Sequence, residues 1–142
     1  MTSCIFCKIV EGEIPSEKIY EDDHVVAFMD VTPVTKGHVL LIPKTHRENL
    51  YEFSETEAAN LFAVAPKIAN TLKETFTPAG MNILQNNGEP AGQAVFHFHM
   101  HFIPRYDETD GFSSNWNPQV EELTKERIHE FANEIRKTIG NK

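Results

Sequence analysis

The chain has 142 residues, 40% hydrophobic and 24% charged, with 21 acidic against 13 basic side chains and a formal net charge of -8. That is ordinary globular composition, which excludes disorder as the default, and the acidic balance argues against nucleic-acid binding through a broad basic face. No apolar run reaches the roughly 20 residues of a membrane span, no basic-then-apolar segment opens the chain, and both cysteines share one short motif rather than a secreted disulfide framework, so the cytoplasm is the expected location and no membrane partner is expected.

No repeat, low-complexity tract or linker divides the chain. It reads as a single domain over 1–142, with a core to about residue 105 and a C-terminal extension over about 106–142. Residues 18–20 and 24–29 are short β-prone runs around the turn-forming Glu21-Asp22-Asp23, a predicted hairpin. Val39-Leu40-Leu41-Ile42, stopped by Pro43, predicts a buried strand. Ser54-Glu55-Thr56-Glu57 has the form of a capping box. Ala58, Leu61, Phe62, Ala65, Ile68, Ala69, Leu72 and Phe76 then follow at helical spacing, with Pro66 expected to kink or divide the helix. Residues 81–85 and 95–103 predict the fourth and fifth strands. A second helix is expected from Asn117-Pro118, with Leu123, Ile128, Phe131, Ala132, Ile135 and Ile139 as its stripe and Gly140 as its stop. Meandering strands with helices inserted late predict an α+β domain with an antiparallel sheet.

Within the fifth strand, VFHFHMHF places His97, His99 and His101 at alternate positions. On a strand the three share one face, while Phe96, Phe98, Met100 and Phe102 turn to the core. Three readings stand: solvent-facing polar residues, one metal held by all three, or a metal-free site with one nucleophile. The outer two Cα atoms would lie roughly 13 Å apart along a strand, too far to share an ion bonded at about 2 Å. Imidazole is neutral and nucleophilic near pH 7 and leaves readily from phosphorus. The amide- and glycine-rich loop QNNGEPAGQ just before the strand suits a phosphate cradle, although an ordinary β–β connection remains open.

GQAVFHFHMHFI resembles the signature of the histidine triad (HIT) family, and IFCKIVEGEIPSEKIYEDDHVVAFMDVTPVTKGHVLLIPKTH resembles that family's N-terminal half. The resemblance implies a HIT-like fold, with a five-stranded antiparallel sheet per subunit, a central helix, a C-terminal helix and a homodimer. It implies a nucleotide hydrolase or transferase acting on purine nucleotides or their conjugates through a covalent nucleotidyl-histidine, without a catalytic metal. His99 would be the nucleophile, His101 a phosphate contact, Gln93 a contact on the leaving-group side, and His38 a support from a neighbouring strand. Asn86 would stand near ribose and phosphate, Asp30 at the ribose hydroxyls, and the Ala94 amide near phosphate. Phe6, Ile9, Phe28, Val31 and Leu40 would form the base slot, with plain core packing an equal alternative. Tyr106, Phe112 and Trp116 are candidates to reach a partner's site, or to pack on the surface. Ala94 departs from the family, whose phosphoramidase branch has Ser there and whose dinucleoside-polyphosphate branch has Thr. A nucleotide-binding regulatory module with little turnover is the alternative function.

Cys4-Ile-Phe-Cys7 has the spacing of half a zinc site, with a redox pair or two unliganded thiols as alternatives. The resemblance, to a bacterial zinc-containing subset, implies that His46 and His97 complete a closed, structural zinc site.

Overall fold

In the computed structural model, which describes residues 3–142, the chain divides into two units, residues 3–112 and 113–142. In the first unit, α1 (Ile5–Val10) precedes the strands β1 (Lys18–Glu21), β2 (Val25–Met29) and β3 (Val39–Pro43). Then come α2 (Glu55–Phe76), β4 (Gly80–Gln85) and β5 (Met100–Arg105). Among the described residues the sheet has five strands, ordered β1-β2-β3-β5-β4, each pair antiparallel. The architecture is α+β, as the element pattern implies. The turn between β1 and β2 closes on the Asp22 carboxylate, which accepts from the His24 and Val25 amides at 2.7 and 2.9 Å.

β2 and β3 are central strands covered on both faces, so they read as unbroken apolar runs rather than alternating ones. Val25, Ala27, Val39, Leu41, Met100 and Phe102 face Leu61, Val64, Ile68 and Leu72 of α2. Val26, Phe28, Leu40 and Ile42 face the other way, against Phe6 and Ile9 of α1. That short helix was not evident from the sequence. The Cys4 sulfur caps it by accepting from the Cys7 amide at 3.4 Å, and Phe6 and Ile9 form its i, i+3 apolar pair.

α2 starts at the expected capping box, Ser54 with Glu57. It runs unbroken through Pro66, against the expected division. Pro66 lies on the exposed face, so the carbonyl it cannot serve turns to water instead of the core.

The larger correction concerns the fifth strand, which begins at Met100, not Val95. Leu41 pairs with Met100, so the next ladder positions would bring Phe98 opposite Pro43. Pro43 ends β3 and has no amide to donate. Phe98 donates to the Arg47 carbonyl at 2.7 Å instead, and the Pro43 carbonyl accepts from the His97 ring at 2.8 Å. Phe96, expected in the core, is 40% exposed.

In the second unit, α3 (Lys125–Ile139) begins eight residues beyond Asn117, capped by Thr124, whose hydroxyl accepts from the Arg127 amide at 3.3 Å. Asn117-Pro118 therefore does not start it. Gly140 is its C-cap, and Ile128, Ile135 and Ile139 of its stripe are exposed. No described helix is long and apolar enough to cross a membrane.

Candidate active site and metal centre

The face of the sheet covered by α1 holds a cavity of about 350 Å³. Phe6, Ile9, Phe28 and Leu40 form its apolar wall, with Val31 at 87% exposure. Asp30, Ala94, His99 and His101 also border it. A second cavity of about 270 Å³ is lined by His38, Asn86 and Gly92, and again by Ala94, His99 and His101. These three residues thus stand between an apolar chamber and a more polar one. The first volume is within the range of small-molecule sites.

His99 Nδ1 lies 2.8 Å from the His97 carbonyl. A carbonyl only accepts, so Nδ1 carries the proton and Nε2 keeps its lone pair. Burial lowers the His99 pKa from its usual 6.5, with the His97 carbonyl and Asp30 opposing. That shift favours the neutral ring. The Phe6 ring packs edge-on against it, centroids 5.2 Å apart.

His101 is set by a relay. The Val34 amide donates to His38 Nδ1 at 3.1 Å, so the His38 proton is on Nε2. That nitrogen faces His101 Nδ1 at 2.9 Å and the Asp30 carboxylate at 3.4 Å. His101 Nδ1 therefore accepts, and its Nε2–H remains a donor for an oxyanion. Burial, then repulsion by His99 and His38, pushes the His101 pKa down to about 4. Burial also lowers His38, against the pull of Asp30. Asp30, His38 and His101 cluster closely enough to suggest a metal site. The Val34 amide argues against it, because a proton on His38 Nε2 blocks the lone pair a metal needs.

Asn86 donates to the Gly92 carbonyl at 3.3 Å. Gly92 has φ +99°, and a Cβ there would come within 3.2 Å of the Asn86 amide nitrogen. Gln93 lies elsewhere than expected: it lines neither cavity and is 2% exposed. Its carbonyl accepts from the Gly88 amide at 2.7 Å, while its nitrogen donates to the carbonyls of Glu48 and Val95 at 2.6 and 3.1 Å. Gln93 therefore braces the loop rather than facing the histidines. Tyr106 donates to the Lys36 carbonyl at 2.6 Å, Phe112 borders the second cavity, and Trp116 is exposed.

Ile5, Ile14, Pro15 and Val95 also line the apolar chamber, and none carries a pattern that marks it in the sequence. The orienting Val34 amide is a backbone group, which no residue-type search would find.

Cys4, Cys7, His46 and His97 converge, and could hold a metal ion. Cys4 and Cys7 sulfurs lie 3.4 and 3.6 Å from His97 Nδ1. Cys7 Sγ is 3.3 Å from His46 Nδ1, and the two imidazole nitrogens are 3.2 Å apart. A tetrahedron with bonds of about 2.3 Å to sulfur and 2.0–2.1 Å to nitrogen has S···N edges of about 3.5 Å and N···N edges of about 3.3 Å. The donors fit those edges. His97, fully buried, donates from Nε2 to Pro43, which leaves the Nδ1 lone pair turned to the centre. Burial lowers the His97 pKa to about 4; burial and then Cys4 raise Cys7 to about 11. A cation that discharges the thiols as thiolates would offset that penalty.

The HIT domain family model matches residues 11–108. A crystal structure of a HIT family protein from Bacillus anthracis is 50% identical, with a TM-score of 0.92 and 96% of each chain covered. Adenosine 5'-monophosphoramidase HNT1 of Candida albicans is 39% identical over 144 residues, 98% of this chain and 95% of that one. A zinc-bound histidine triad family protein from Mycobacterium smegmatis is 40% identical, with a TM-score of 0.72, covering 85% of this chain and 87% of that one. With its histidines, fold and family match in agreement, this chain belongs to the HIT family.

Proposed function

We propose that the protein hydrolyses or transfers nucleotide at the α-phosphate of purine nucleoside monophosphate derivatives, phosphoramidates or dinucleoside polyphosphates, through a nucleotidyl-His99 intermediate. The observation that carries this reading is the His99 ring, whose Nδ1 is tied to the His97 carbonyl while the ring borders both chambers. The base would enter among Phe6, Ile9, Phe28, Val31 and Leu40, with Asp30 accepting from the ribose hydroxyls. His99 Nε2 attacks phosphorus, and the bond to the leaving group breaks with its electron pair departing on that group, which takes a proton from water. His101 Nε2–H and the Ala94 amide hold the charge on the phosphate oxygens. Asn86, which borders the second chamber beside His99, would stand near ribose and phosphate, and water then displaces His99 to release the monophosphate. The name of the Candida relative supports the substrate class.

Zinc is the ion we assign to Cys4, Cys7, His46 and His97, supported by the donor set, its edges and the zinc-bound relative. Bound there, it would supply a closed cross-link between α1 and the loops carrying His46 and His97. We further propose a cytoplasmic homodimer. A reducing compartment keeps such thiols free, and β4 is an edge strand with Ile83 half exposed.

The free lone pair on His99 sets the pH dependence. Protonation removes it, and the pKa is held below 6.5. We expect the midpoint of the kcat/KM profile to lie below pH 6.5, with activity lost as the solution becomes more acidic. A pH titration of kcat/KM with its midpoint at or above 6.5 contradicts this.

Ala94 favours a second reading, a nucleotide-binding module with incidental turnover. Rates with adenosine phosphoramidate and a diadenosine polyphosphate, measured beside AMP affinity, separate the two. Tight AMP binding with background rates on both substrates supports the module and overturns the enzyme. Ala94 borders both chambers beside His99, so a hydroxyl there could protonate a departing amine. Ala94→Ser should raise P–N turnover about 10-fold; an unchanged rate at unchanged AMP affinity counts against that role.

A further inference from the structure

His97 and His99 precede β5, and no strand ladder fixes the residues between Val95 and His99. The bonds that replace the ladder run to the loop after β3. Phe98 donates to the Arg47 carbonyl at 2.7 Å, Gln93 donates to the Glu48 carbonyl at 2.6 Å, and the His97 ring donates to the Pro43 carbonyl at 2.8 Å. His46, on the same loop, meets His97 at the metal centre. His97 thus belongs to two sites. Its ring belongs to the four-donor centre, and its main-chain carbonyl is the acceptor for His99 Nδ1–H.

We infer that the Cys4–Cys7–His46–His97 centre positions the nucleophile, with His97 as the positioning residue between the metal and His99. This rests on the reading of His99 as nucleophile and of the four donors as a zinc centre. With the centre filled, the His97 ring is held from both nitrogens, its peptide plane is fixed, and His99 has a single tautomer with Nε2 free. With the centre empty, Nδ1 of His97 has only thiols and His46 for neighbours. The His97–Phe98 peptide then keeps only the bond from the Phe98 amide to Arg47, beside the released His46. As that loop loosens the carbonyl can turn away, and His99 divides between two tautomers, of which only one can attack phosphorus. A displacement of about 1 Å at a reacting group can cost up to about 100-fold in rate.

The test uses the full chain labelled with ¹⁵N in its imidazoles, zinc-loaded and after zinc removal, with circular dichroism to confirm the fold. The loaded protein should show His99 with Nδ1 protonated and Nε2 bare. The folded, zinc-free protein should show averaged tautomers, reversed by zinc. A second arm replaces His97 by Cys, which keeps four donors but removes the ring bonded to Pro43. With zinc content confirmed at one per chain, kcat should fall about 10- to 100-fold and KM should change less than about threefold. KM holds because zinc still anchors α1 and its base wall. A single His99 tautomer in folded zinc-free protein overturns the coupling, and so does an unchanged kcat in zinc-loaded His97→Cys. A His99 tautomer that follows zinc in a protein forming no nucleotidyl adduct supports the coupling and overturns only the nucleophile assignment.

Discussion

His99→Ala should lower turnover by at least about 10⁴-fold, because no neighbour can replace the attacking nitrogen. His101 is close, with ring centroids 5.0 Å apart. Its Nδ1, however, accepts the His38 proton, and its Nε2 carries one, so neither nitrogen has a free lone pair. AMP affinity should change by less than about tenfold, since most of the cavity wall comes from other residues, Phe6, Phe28 and Leu40 among them. Initial rates and AMP titration calorimetry check both parts together. Equal loss of affinity and rate would mark His99 as a binding residue; a variant within about tenfold of the wild-type rate would remove it from the chemistry.

Loss of the metal should be the largest stability effect in the chain. Cys4→Ser, or chelation of the wild type, should lower the melting temperature on the order of 10 °C, reversed by added zinc only in the wild type. The size follows from what the ion joins: α1, the loop carrying His46, and the fully buried His97. Without it, the His97 ring keeps one firm bond, to Pro43, and the apolar pair Phe6 and Ile9 loses the anchor at the start of α1. Differential scanning calorimetry with elemental analysis of both proteins decides the matter. Equal metal content and equal melting temperatures in wild type and Cys4→Ser would remove the proposed centre.

The sheet was legible because its signals are local. Asp22 closes the first hairpin, Pro43 ends β3, and Ser54 with Glu57 caps α2. The histidine run was legible as a cluster but not as a strand. Alternation implied that Phe96 and Phe98 both turn inward, yet only Phe98 is buried. The deciding residue was Pro43, more than fifty positions away, whose missing amide ends the ladder that His97 and His99 would have joined. The three histidines do not share one donor group: His97 lies with Cys4, Cys7 and His46, and His101 with Asp30 and His38. The four donors themselves could not be read from Cys4 and Cys7 alone, because His46 and His97 arrive from other loops; the family resemblance supplied them. Gln93 shows the opposite limit. A buried amide between a loop and a phosphate site looks like a ligand in sequence, and only its three backbone partners identify it as a brace. Asn117-Pro118 carries a start signal that α3 does not use, its cap being Thr124 instead.

Covalent catalysis at His99 is the claim on which the rest depends, and mass spectrometry of protein mixed with adenosine phosphoramidate or a diadenosine polyphosphate and quenched early tests it most directly. The account predicts an added adenylyl mass that maps to the peptide containing His99 and is absent from His99→Ala. Substrate consumed with no adduct at His99, or an adduct mapped to His101, would contradict it.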